Sequence, residues 1–299
     1  MNKLTFQLAW ENCEKTMPLP RRLREIIIIS YEEFKEKVMA ESEDFVNKVT
    51  HSLFSGDLYL LKGAFTKEFL DDLKNKTFLY FKNKPSEFYK MKEGCPDFHR
   101  KIDLKLGENY SFKRCSHSFY FYSWNKDPLN LFTPIYERWR VVKKLMGLKP
   151  TEYENNTPKD GVIDRIQVVQ YPSKIGFLEP HSDPYKYQRL FNSCYMSKQG
   201  VDFEGLGFYL FDKKNKVVEV EKLIDVGDIG LGYATIQHGV APINKDKQPN
   251  WNDVNDGRWF LSMYSNESDE VKNRHTGYSI KDKIVIDDIS KSRLFPTNL

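Results

Sequence analysis

The sequence pattern changes near Gly161, and this change limits the choice of folds more than any other feature. From there on, short apolar runs alternate with turn-forming residues. The runs are rich in Val, Ile, Phe and Tyr, which favour strands, and Gly, Pro, Asn and Asp separate them. Several short strands at this spacing are typical of a β-sandwich or barrel rather than of alternating strands and helices. The predicted strands are residues 165–171, 207–211, 217–220, 229–233 and 259–264, with turns at 211–216 and 226–228.

The residues before this change predict mainly helices. A Glu/Lys-rich stretch with apolar residues near helical spacing predicts a helix over residues 31–48. Thr66 is a candidate N-cap for a helix that runs to about Phe78, because a threonine side chain can accept a hydrogen bond from the first turn. A further helix is predicted over residues 136–146, and a short strand over residues 57–61.

These patterns predict three regions within one compact domain. Residues 1–160 form a helix-rich region that packs on the core, residues 161–265 form the β core, and residues 266–299 form an extension. The extension contains one strand-like piece at residues 284–286. The aromatic run at residues 117–125 is expected to pack in the core, with pocket lining as the alternative.

Composition narrows the function classes. The net charge of +4 comes from 46 basic and 42 acidic residues, a balance that argues against nucleic-acid binding. No apolar run approaches the roughly 18 residues that a membrane span needs, and the N-terminus lacks the pattern of a secretory signal. We therefore expect a cytoplasmic protein without a membrane partner. The widely spaced cysteines predict free thiols rather than a disulfide framework or a zinc site: Cys13, Cys95, Cys115 and Cys194.

Two of the six histidines lie in surroundings that suggest a metal site. His181 and Asp183 are two residues apart in EPHSD, and residues i and i+2 of an extended segment point to the same face. His238 ends a predicted strand and precedes Gly239. Plainer interpretations exist, because His-Ser-Asp beside a proline suits a turn, and a lone histidine is more often a hydrogen-bonded core residue. The order favours metal binding, since the HxD pair follows a strong strand and His238 comes several strand-like runs later.

Two imidazoles and one carboxylate form the facial set that holds iron(II) in non-haem oxygenases. Neutral nitrogen and anionic oxygen donors hold the ion while three coordination positions stay open. A bidentate co-substrate and dioxygen can then occupy these positions. We therefore interpret His181, Asp183 and His238 as candidate metal ligands and catalytic residues.

At this point the sequence resembles the 2-oxoglutarate- and Fe(II)-dependent dioxygenase superfamily over roughly Arg165 to Tyr264. The matching pieces occur in order: QYP at a strand end, EPHSD, GD, QHGVAPI and GRWFLSMY. The stretch GDLYLLKGAFTKEFLDDLK at residues 56–74 resembles the lead-in strand and helix of the superfamily. The resemblance implies a mainly β fold with flanking helices, built on a double-stranded β-helix or jelly roll. It also implies Fe(II), 2-oxoglutarate and O2 at one open end.

The resemblance implies roles for further residues. Arg258 matches the basic residue that pairs with the distal carboxylate of 2-oxoglutarate, for which a guanidinium offers a permanently charged, bidentate fork. Tyr171 lies where many relatives contact 2-oxoglutarate, and Gln167 on the same strand face is a weaker candidate. Strand alternation puts four residues of RWFLSMY on one face: Arg258, Phe260, Ser262 and Tyr264.

Two departures from the superfamily pattern stand out. The interval from His238 to Arg258 is longer than usual, and the polar surplus, residues 244–257, predicts an inserted loop that is a candidate lid. The serine that some relatives carry two residues after the arginine is Phe260 here.

Asp183 fills the position that is a small residue in halogenating relatives. The implied reaction is therefore hydroxylation of an unactivated C–H bond, with release of succinate and CO2. We expect a polar small molecule as the substrate, because the sequence shows no extended basic or apolar stretch that would indicate a polymer or an acyl chain.

Two other functions stay open at this stage. One is a cupin-type metal enzyme that does not use 2-oxoglutarate and needs no anchor such as Arg258. The other is a non-catalytic, lectin-like jelly-roll module that binds without iron. Succinate release separates the first from the oxygenase, and the metal content of an Asp183→Ala variant separates the second. The sequence does not identify the substrate, and nothing in it indicates an oligomeric state.

Overall fold

The computed structural model describes residues 5–275 and the backbone of residues 278 and 279. The α-helices of this part of the chain are α1 (Thr5–Thr16), α2 (Tyr31–Ala40), α3 (Glu43–Phe54), α4 (Lys67–Phe81), α5 (Leu104–Gly107) and α6 (Phe132–Leu145). Its first strands are β1 (Ile26–Ser30), β2 (Leu58–Lys62), β3 (Phe98–Ile102), β4 (Arg114–Phe121), β5 (Val162–Tyr171) and β6 (Phe177–Ser182). The later strands are β7 (Leu190–Tyr195), β8 (Phe208–Phe211), β9 (Val217–Glu219), β10 (Ile229–Tyr233), β11 (His238–Val240), β12 (Arg258–Glu267) and β13 (Tyr278–Ser279).

The strands form two sheets that share β4. The larger sheet has the order β1-β2-β10-β7-β12-β5-β4, with β3 on the outer edge of β4. The smaller sheet has the order β4-β6-β11-β8-β9, and β13 pairs with β6. Arg114 and Cys115 pair with β6, whereas the later residues of β4 pair with β5, so one strand passes from sheet to sheet. The named strands pair antiparallel, apart from the parallel pair β1–β2.

The two sheets face each other across an aromatic interior. The Phe191 ring on β7 lies 6.3 Å from the Phe208 ring on β8, and the Tyr195 ring lies 6.0 Å from Phe208. The Phe191 ring also lies 4.9 Å from the ring of His238 on β11. This two-layered, mainly β arrangement with flanking helices is the predicted jelly roll, and the predicted fold class is confirmed.

The helices cover the outer face of the larger sheet. The Trp10 ring of α1 lies 5.8 Å from Tyr233 on β10, and the Phe81 ring of α4 lies 5.6 Å from Phe119 on β4. Each of these strand residues alternates with neighbours that face the interior, as expected for a pleated strand with both faces buried. Among the residues that the structure describes, every helix is too short or too polar to traverse a lipid bilayer.

The longest ladder pairs β12 with β5 and fixes which residues face the interior. Arg258 lies opposite Tyr171, and the register continues to Glu267 opposite Val162. The alternation predicted for RWFLSMY is confirmed, because four of its residues line one cavity: Arg258, Phe260, Ser262 and Tyr264. Trp259 faces the other way and stacks on Phe119 at 5.8 Å.

Most of the predicted elements are present, but the helix over residues 31–48 is wrong as a single element. Ser30 caps α2 by accepting a hydrogen bond from the Glu33 N–H at 3.2 Å. The helix then ends at Glu41, whose φ of +52° is left-handed and cannot continue an α-helix. The helix α3 begins after this break. Thr66 caps α4 as predicted, accepting from the Phe69 N–H at 3.2 Å.

The larger sheet contains strands from both sides of the region boundary predicted at residue 161. The strands β2 and β4 come from residues 1–160, yet β2 pairs with β10 and β4 pairs with β5. Sheet pairing therefore crosses the boundary, because residues 117–121 of the aromatic run belong to β4. The run contributes to both predicted places, since Phe119 and Phe121 are buried in the core and Tyr120 and Tyr122 line the cavity. The division into three regions stays a prediction, and the strand-like piece at 284–286 lies outside the described residues.

Candidate metal centre

The smaller sheet brings the predicted ligands together. His238 of β11 lies directly opposite His181 of β6 in the strand register. Asp183 follows the end of β6, and its N–H donates to the Ala234 carbonyl at 2.9 Å. One ligand atom from each of these three side chains lies within 4.8 Å of the other two. This convergence of distant residues is the one that the sequence predicted.

A register shift and a glycine shape the strands around the histidines. Between the pairs His238–His181 and Val240–Leu178, β6 uses three residue steps and β11 only two, which is a β-bulge. Bulges of this kind re-aim side chains beside functional sites. A Cβ atom at Gly239 would lie 2.7 Å from the Tyr209 hydroxyl, so the strand next to His238 requires a residue without a side chain.

Each histidine is oriented by a backbone carbonyl two residues earlier. His181 Nδ1 lies 3.0 Å from the Glu179 carbonyl oxygen, and His238 Nδ1 lies 2.9 Å from that of Ile236. A carbonyl can only accept, so each Nδ1 carries the proton and donates it. The Nε2 lone pair of each neutral ring is then free for a metal ion.

The surroundings keep His238 neutral and Asp183 ionised, and these are the forms in which the two side chains bind a metal ion. Burial is the main cause that lowers the pKa of His238 to about 4, and the charge of His181 lowers it further, so the His238 ring is neutral near pH 7. Burial on its own would raise the pKa of Asp183. The interactions with His181, His238 and Arg165 outweigh it, so the pKa of Asp183 is lowered overall. Asp183 lies 3.5 Å from His181 Nε2 and 3.7 Å from His238 Nε2.

Aromatic rings enclose the histidines. The Phe112 ring stacks on His181 with centroids 4.4 Å apart and planes 19° apart. Phe191 and Phe208 lie 4.9 Å and 5.7 Å from the His238 ring. Such rings exclude water from a metal centre and lower the local polarity.

The triad opens into a cavity of about 300 Å³ between the two sheets. This is at the small end of the range for ligand sites in proteins. The larger sheet contributes Arg258 and Phe260 of β12, Tyr171 and Gln167 of β5, and Tyr195 of β7. Both predicted co-substrate residues, Arg258 and Tyr171, therefore lie in the same cavity as the triad, as does the weaker candidate Gln167.

Arg258 has a partner that the sequence did not indicate. Its Nε donates to Glu221 Oε1 at 2.6 Å, and both side chains are almost fully buried. Glu221 Oε1 also accepts from the Phe208 N–H at 2.7 Å. Burial raises the pKa of Glu221, although Arg258 and this backbone donor lower it in part. The contact fixes the guanidinium through Nε.

Tyr171 and Tyr195 lie beside Arg258. Their hydroxyls are buried and have no hydrogen-bond partner among the described residues. The Arg258 guanidinium carbon lies 5.7 Å from the Tyr195 ring. Burial raises the pKa of Tyr171 to about 12, so its hydroxyl is a donor at neutral pH. Unsatisfied buried donors next to an arginine are the surroundings that suit an anionic ligand with several acceptor oxygens.

The inserted loop at residues 244–257 does not line this cavity. Asp256 is fully buried and holds the loop by accepting from Ser173 Oγ at 2.6 Å and from the Asn250 N–H at 2.9 Å. Trp251 lies 6.3 Å from the His117 ring on the outer side of β4. The cavity rim instead includes Phe88, Tyr89 and Phe112, from segments before the core.

Sequence reasoning missed several cavity residues. Glu221 and Phe112 carry no local pattern that marks them, since only the fold brings them to Arg258 and His181. Tyr195 would have been found by alternation had the strand β7 been predicted, because Phe191, Ser193 and Tyr195 share a face. Arg114 was missed for the same reason as Glu221. Arg165 was overlooked although alternation along the predicted strand 165–171 puts it on the same face as Gln167 and Tyr171.

No protein-family model matches the sequence, and no curated protein matches it. The fold matches solved structures. A Pseudomonas putida prolyl-4-hydroxylase is 12% identical, with 79% of this chain and 98% of that chain covered and a TM-score of 0.43. A full-length Neurospora crassa protein, solved in complex with alpha-KG and thymine, is 10% identical, with 84% and 88% covered and a TM-score of 0.49.

A further match is an oxidoreductase of the 2OG-Fe(II) oxygenase family from Burkholderia pseudomallei. It is 14% identical, with 88% of this chain and 98% of that chain covered and a TM-score of 0.40. Independently of these matches, the described part of this chain has a His-Asp-His site in His181, Asp183 and His238.

Proposed function

We propose that this protein is an Fe(II)- and 2-oxoglutarate-dependent oxygenase that hydroxylates a C–H bond of a polar small molecule and releases succinate and CO2. The observation that carries the proposal is the triad of His181, Asp183 and His238. Both of its imidazoles donate through Nδ1 to the backbone, which leaves both Nε2 atoms beside the carboxylate. Two neutral nitrogens and one carboxylate suit iron(II) and leave coordination positions open.

The residues present fit the metal and the co-substrate. His181, Asp183 and His238 would hold Fe(II), and Arg258 with the Tyr171 hydroxyl would bind the distal carboxylate of 2-oxoglutarate. The iron and 2-oxoglutarate together supply the activation of dioxygen for C–H oxidation. Tyr195, whose hydroxyl also lacks a partner among the described residues, has its ring 5.7 Å from the Arg258 guanidinium carbon and is a further candidate to support the same anion.

The protein itself contributes orientation and the exclusion of water. The carbonyls of Glu179 and Ile236 hold the two rings and keep their protons on Nδ1. Phe112 covers His181, and Phe191 covers His238, which lowers access of water to the centre. Substrate that binds in the cavity is thereby held next to the triad in a dry environment.

The contact between Arg258 and Glu221 favours one alternative, a jelly-roll metal enzyme that does not use 2-oxoglutarate. A buried carboxylate already bonded to the arginine competes with a second carboxylate for its charge. In the oxygenase, the Nη groups of Arg258 bind the co-substrate while Nε stays on Glu221. The two functions make opposite predictions for 2-oxoglutarate consumption.

The test is succinate formation by the purified protein with Fe(II), ascorbate, 2-oxoglutarate and O2. We expect slow succinate release even without substrate, and its loss when Fe(II) is chelated. The Asp183→Ala variant should lose both succinate release and Fe(II) binding. The control variant Asp72→Ala removes an exposed carboxylate of α4 and should retain both. Iron binding without succinate release would favour the alternative enzyme, and unchanged metal binding in Asp183→Ala would contradict both.

A further inference from the structure

The cavity carries more positive charge than the co-substrate site requires. Four arginines among the described residues line it, and two of them have carboxylate partners: Arg258 bonds to Glu221, and Arg274 lies 3.0 Å from Asp269. The other two are Arg114 and Arg165. Within residues 5–275, no carboxylate forms an ion pair with either of them.

Arg165 lies at the far end of the cavity-facing row of β5. It is opposite Tyr264 in the ladder, six residues along β5 from Tyr171, which is roughly 20 Å in an extended strand. Its guanidinium carbon lies 5.9 Å from the rings of both Tyr120 and Tyr264. Its Nε is buried and has no acceptor among the described residues. Arg165 is therefore remote from Arg258 yet on the same cavity face.

Arg114 approaches the cavity from β4. Its Nη2 lies 3.4 Å from the hydroxyls of Ser116 and Ser118, which are neutral partners at the limit of hydrogen-bond distance. Its Nε is buried without an acceptor. Its guanidinium carbon lies 5.7 Å from the Tyr110 ring. Like Arg165, Arg114 has aromatic and neutral neighbours and no ion-pair partner among the described residues, although the charge of Arg165 also acts on the Asp183 carboxylate.

Unsatisfied guanidinium donors in a protein cavity have a free-energy cost that an anion would offset. A buried polar group without a partner destabilises the protein, and more so when the group is charged. Carboxylate and phosphate oxygens accept from guanidinium donors in the strongest pairing available to them. Two such cations beside the triad, apart from the arginine assigned to 2-oxoglutarate, are expected to serve a second anion.

The neighbouring rim provides an apolar surface for the rest of a ligand. The Phe98 and Tyr120 rings stack with centroids 4.6 Å apart, and the Phe88 ring lies 6.3 Å from Phe98. All three residues line the cavity. Aromatic rings at this position suit a planar or apolar group attached to the anion.

We propose that the substrate is a small organic anion, whose carboxylate or phosphate binds to Arg114 and Arg165 and whose apolar part lies against Phe98 and Tyr120. This inference rests on the proposed function, because it assigns the remaining cavity space to the substrate. The carboxylate and phosphate sources share the same chemistry, and the experiment distinguishes them.

The test is calorimetric titration of the protein loaded with Mn(II) and N-oxalylglycine, so that the site of Arg258 is filled. The probes are benzoate, phenyl phosphate and the neutral isostere benzamide. At least one anion should bind with a Kd below about 10 mM, and benzamide should bind at least tenfold more weakly. Arg165→Met and Arg114→Met should each weaken anion binding roughly 10- to 100-fold. Arg165→Lys, which keeps the charge, should restore part of it.

Arg140→Met serves as the matched control, because Arg140 pairs with Glu154 on the surface and lies outside the cavity. The inference is overturned if neither anion binds, if benzamide binds equally well, or if anion binding survives in both cavity variants. The preceding titration of N-oxalylglycine tests the proposed function separately. The probes are also titrated into the unloaded protein and its Arg258→Met variant, so a failed co-substrate site leaves the substrate-anion result readable.

Discussion

At the scale of single residues, the two histidines are oriented by their own chain. Each ring donates from Nδ1 to a carbonyl two residues earlier, so the bond is made within three consecutive residues. Because this local hydrogen bond forms on both strands, both Nε2 atoms are left without a proton. The strand register places His181 opposite His238 and so brings the two nitrogen ligands of the candidate metal site together.

We expect the Tyr171 hydroxyl to take part in binding the co-substrate. It is buried beside Arg258 and has no hydrogen-bond partner among the residues that the structure describes, so we expect it to donate to the co-substrate carboxylate. Tyr171→Phe is expected to weaken binding of N-oxalylglycine to the Mn(II)-loaded protein about tenfold, the effect of one hydrogen bond to a charged group. Titration calorimetry measures this change.

The matched control for this prediction is Tyr233→Phe. Tyr233 also has a buried hydroxyl without a partner among the described residues, but it lies outside the cavity, against Trp10. It should leave the affinity for N-oxalylglycine within twofold or so. Equal affinities of the wild type and Tyr171→Phe would remove Tyr171 from the co-substrate site.

Much of the candidate site was predictable from the sequence, because its members carry local signals. His181 and Asp183 share a face through their i, i+2 spacing, and Arg258 begins an alternating strand. Glu221 was not predictable, because it has no local pattern and only the packing of a short turn brings it to Arg258. Arg114 was missed likewise, since its strand was not predicted. Arg165 shares a face with Gln167 and Tyr171 in a predicted strand, and it was overlooked because a strand arginine is usually exposed.

At the scale of elements, the loop at residues 244–257 is held in place rather than free over the cavity. Asp256 accepts hydrogen bonds from Ser173 and from the Asn250 N–H, and Lys247 pairs with it at 3.0 Å. Gln170 of β5 adds hydrogen bonds to the Asp253 and Asp256 carbonyls. These contacts join the loop to the outer part of the larger sheet and leave it outside the cavity lining.

Removing the Asp256 carboxylate should therefore release this loop. Asp256→Ala leaves the Ser173 and Asn250 donors unsatisfied, so we expect a loss of about 2–4 kcal/mol in the free energy of unfolding. Trypsin should also cleave faster at Lys245 and Lys247, because local opening of the loop becomes easier. The control Asp246→Ala changes an exposed carboxylate of the same loop. A cleavage rate like that of the control would mean that Asp256 does not hold the loop.

Several of the strands that sequence reasoning missed have no clear period. The strand β6, FLEPHS, contains a proline and a bulge, and β11 has only three residues. The run IIIIS of β1 does not alternate, because it lies at the sheet edge beside β2 in a parallel pair. In contrast, β10 and β12 were predicted because their apolar runs are flanked by glycine turns.

At the scale of the whole molecule, buried polar groups connect regions that are distant in sequence. Asp97 precedes β3 and accepts from the Tyr122 N–H at 3.0 Å and from Asn125 Nδ2 at 2.8 Å, just beyond β4. Burial raises the pKa of Asp97 to about 6, although these two hydrogen bonds lower it in part. The folded protein therefore holds a proton on Asp97 over a range of pH in which the unfolded chain does not.

The sign of the resulting pH dependence follows from proton linkage. The unfolded pKa of an aspartate is about 4, so between about pH 4 and 6 the folded state binds more protons. The contribution of Asp97 to the free energy of unfolding should therefore fall as the pH rises through this interval. Asp97→Asn should remove this fall, roughly 1–2 kcal/mol after allowance for partial exposure. Urea denaturation of both proteins at pH 4.5 and 7 measures it, and parallel pH profiles would contradict it.

The central claim is that His181, Asp183 and His238 hold one metal ion next to a 2-oxoglutarate site at Arg258. The most direct measurement is a crystal structure of the protein with Mn(II) and N-oxalylglycine, with anomalous scattering to locate the metal. We predict one manganese ion bonded to Nε2 of both histidines and to the Asp183 carboxylate, with the distal carboxylate of N-oxalylglycine on Arg258. Manganese absent from these three side chains at saturating concentration, or bound elsewhere in the protein, would contradict the account.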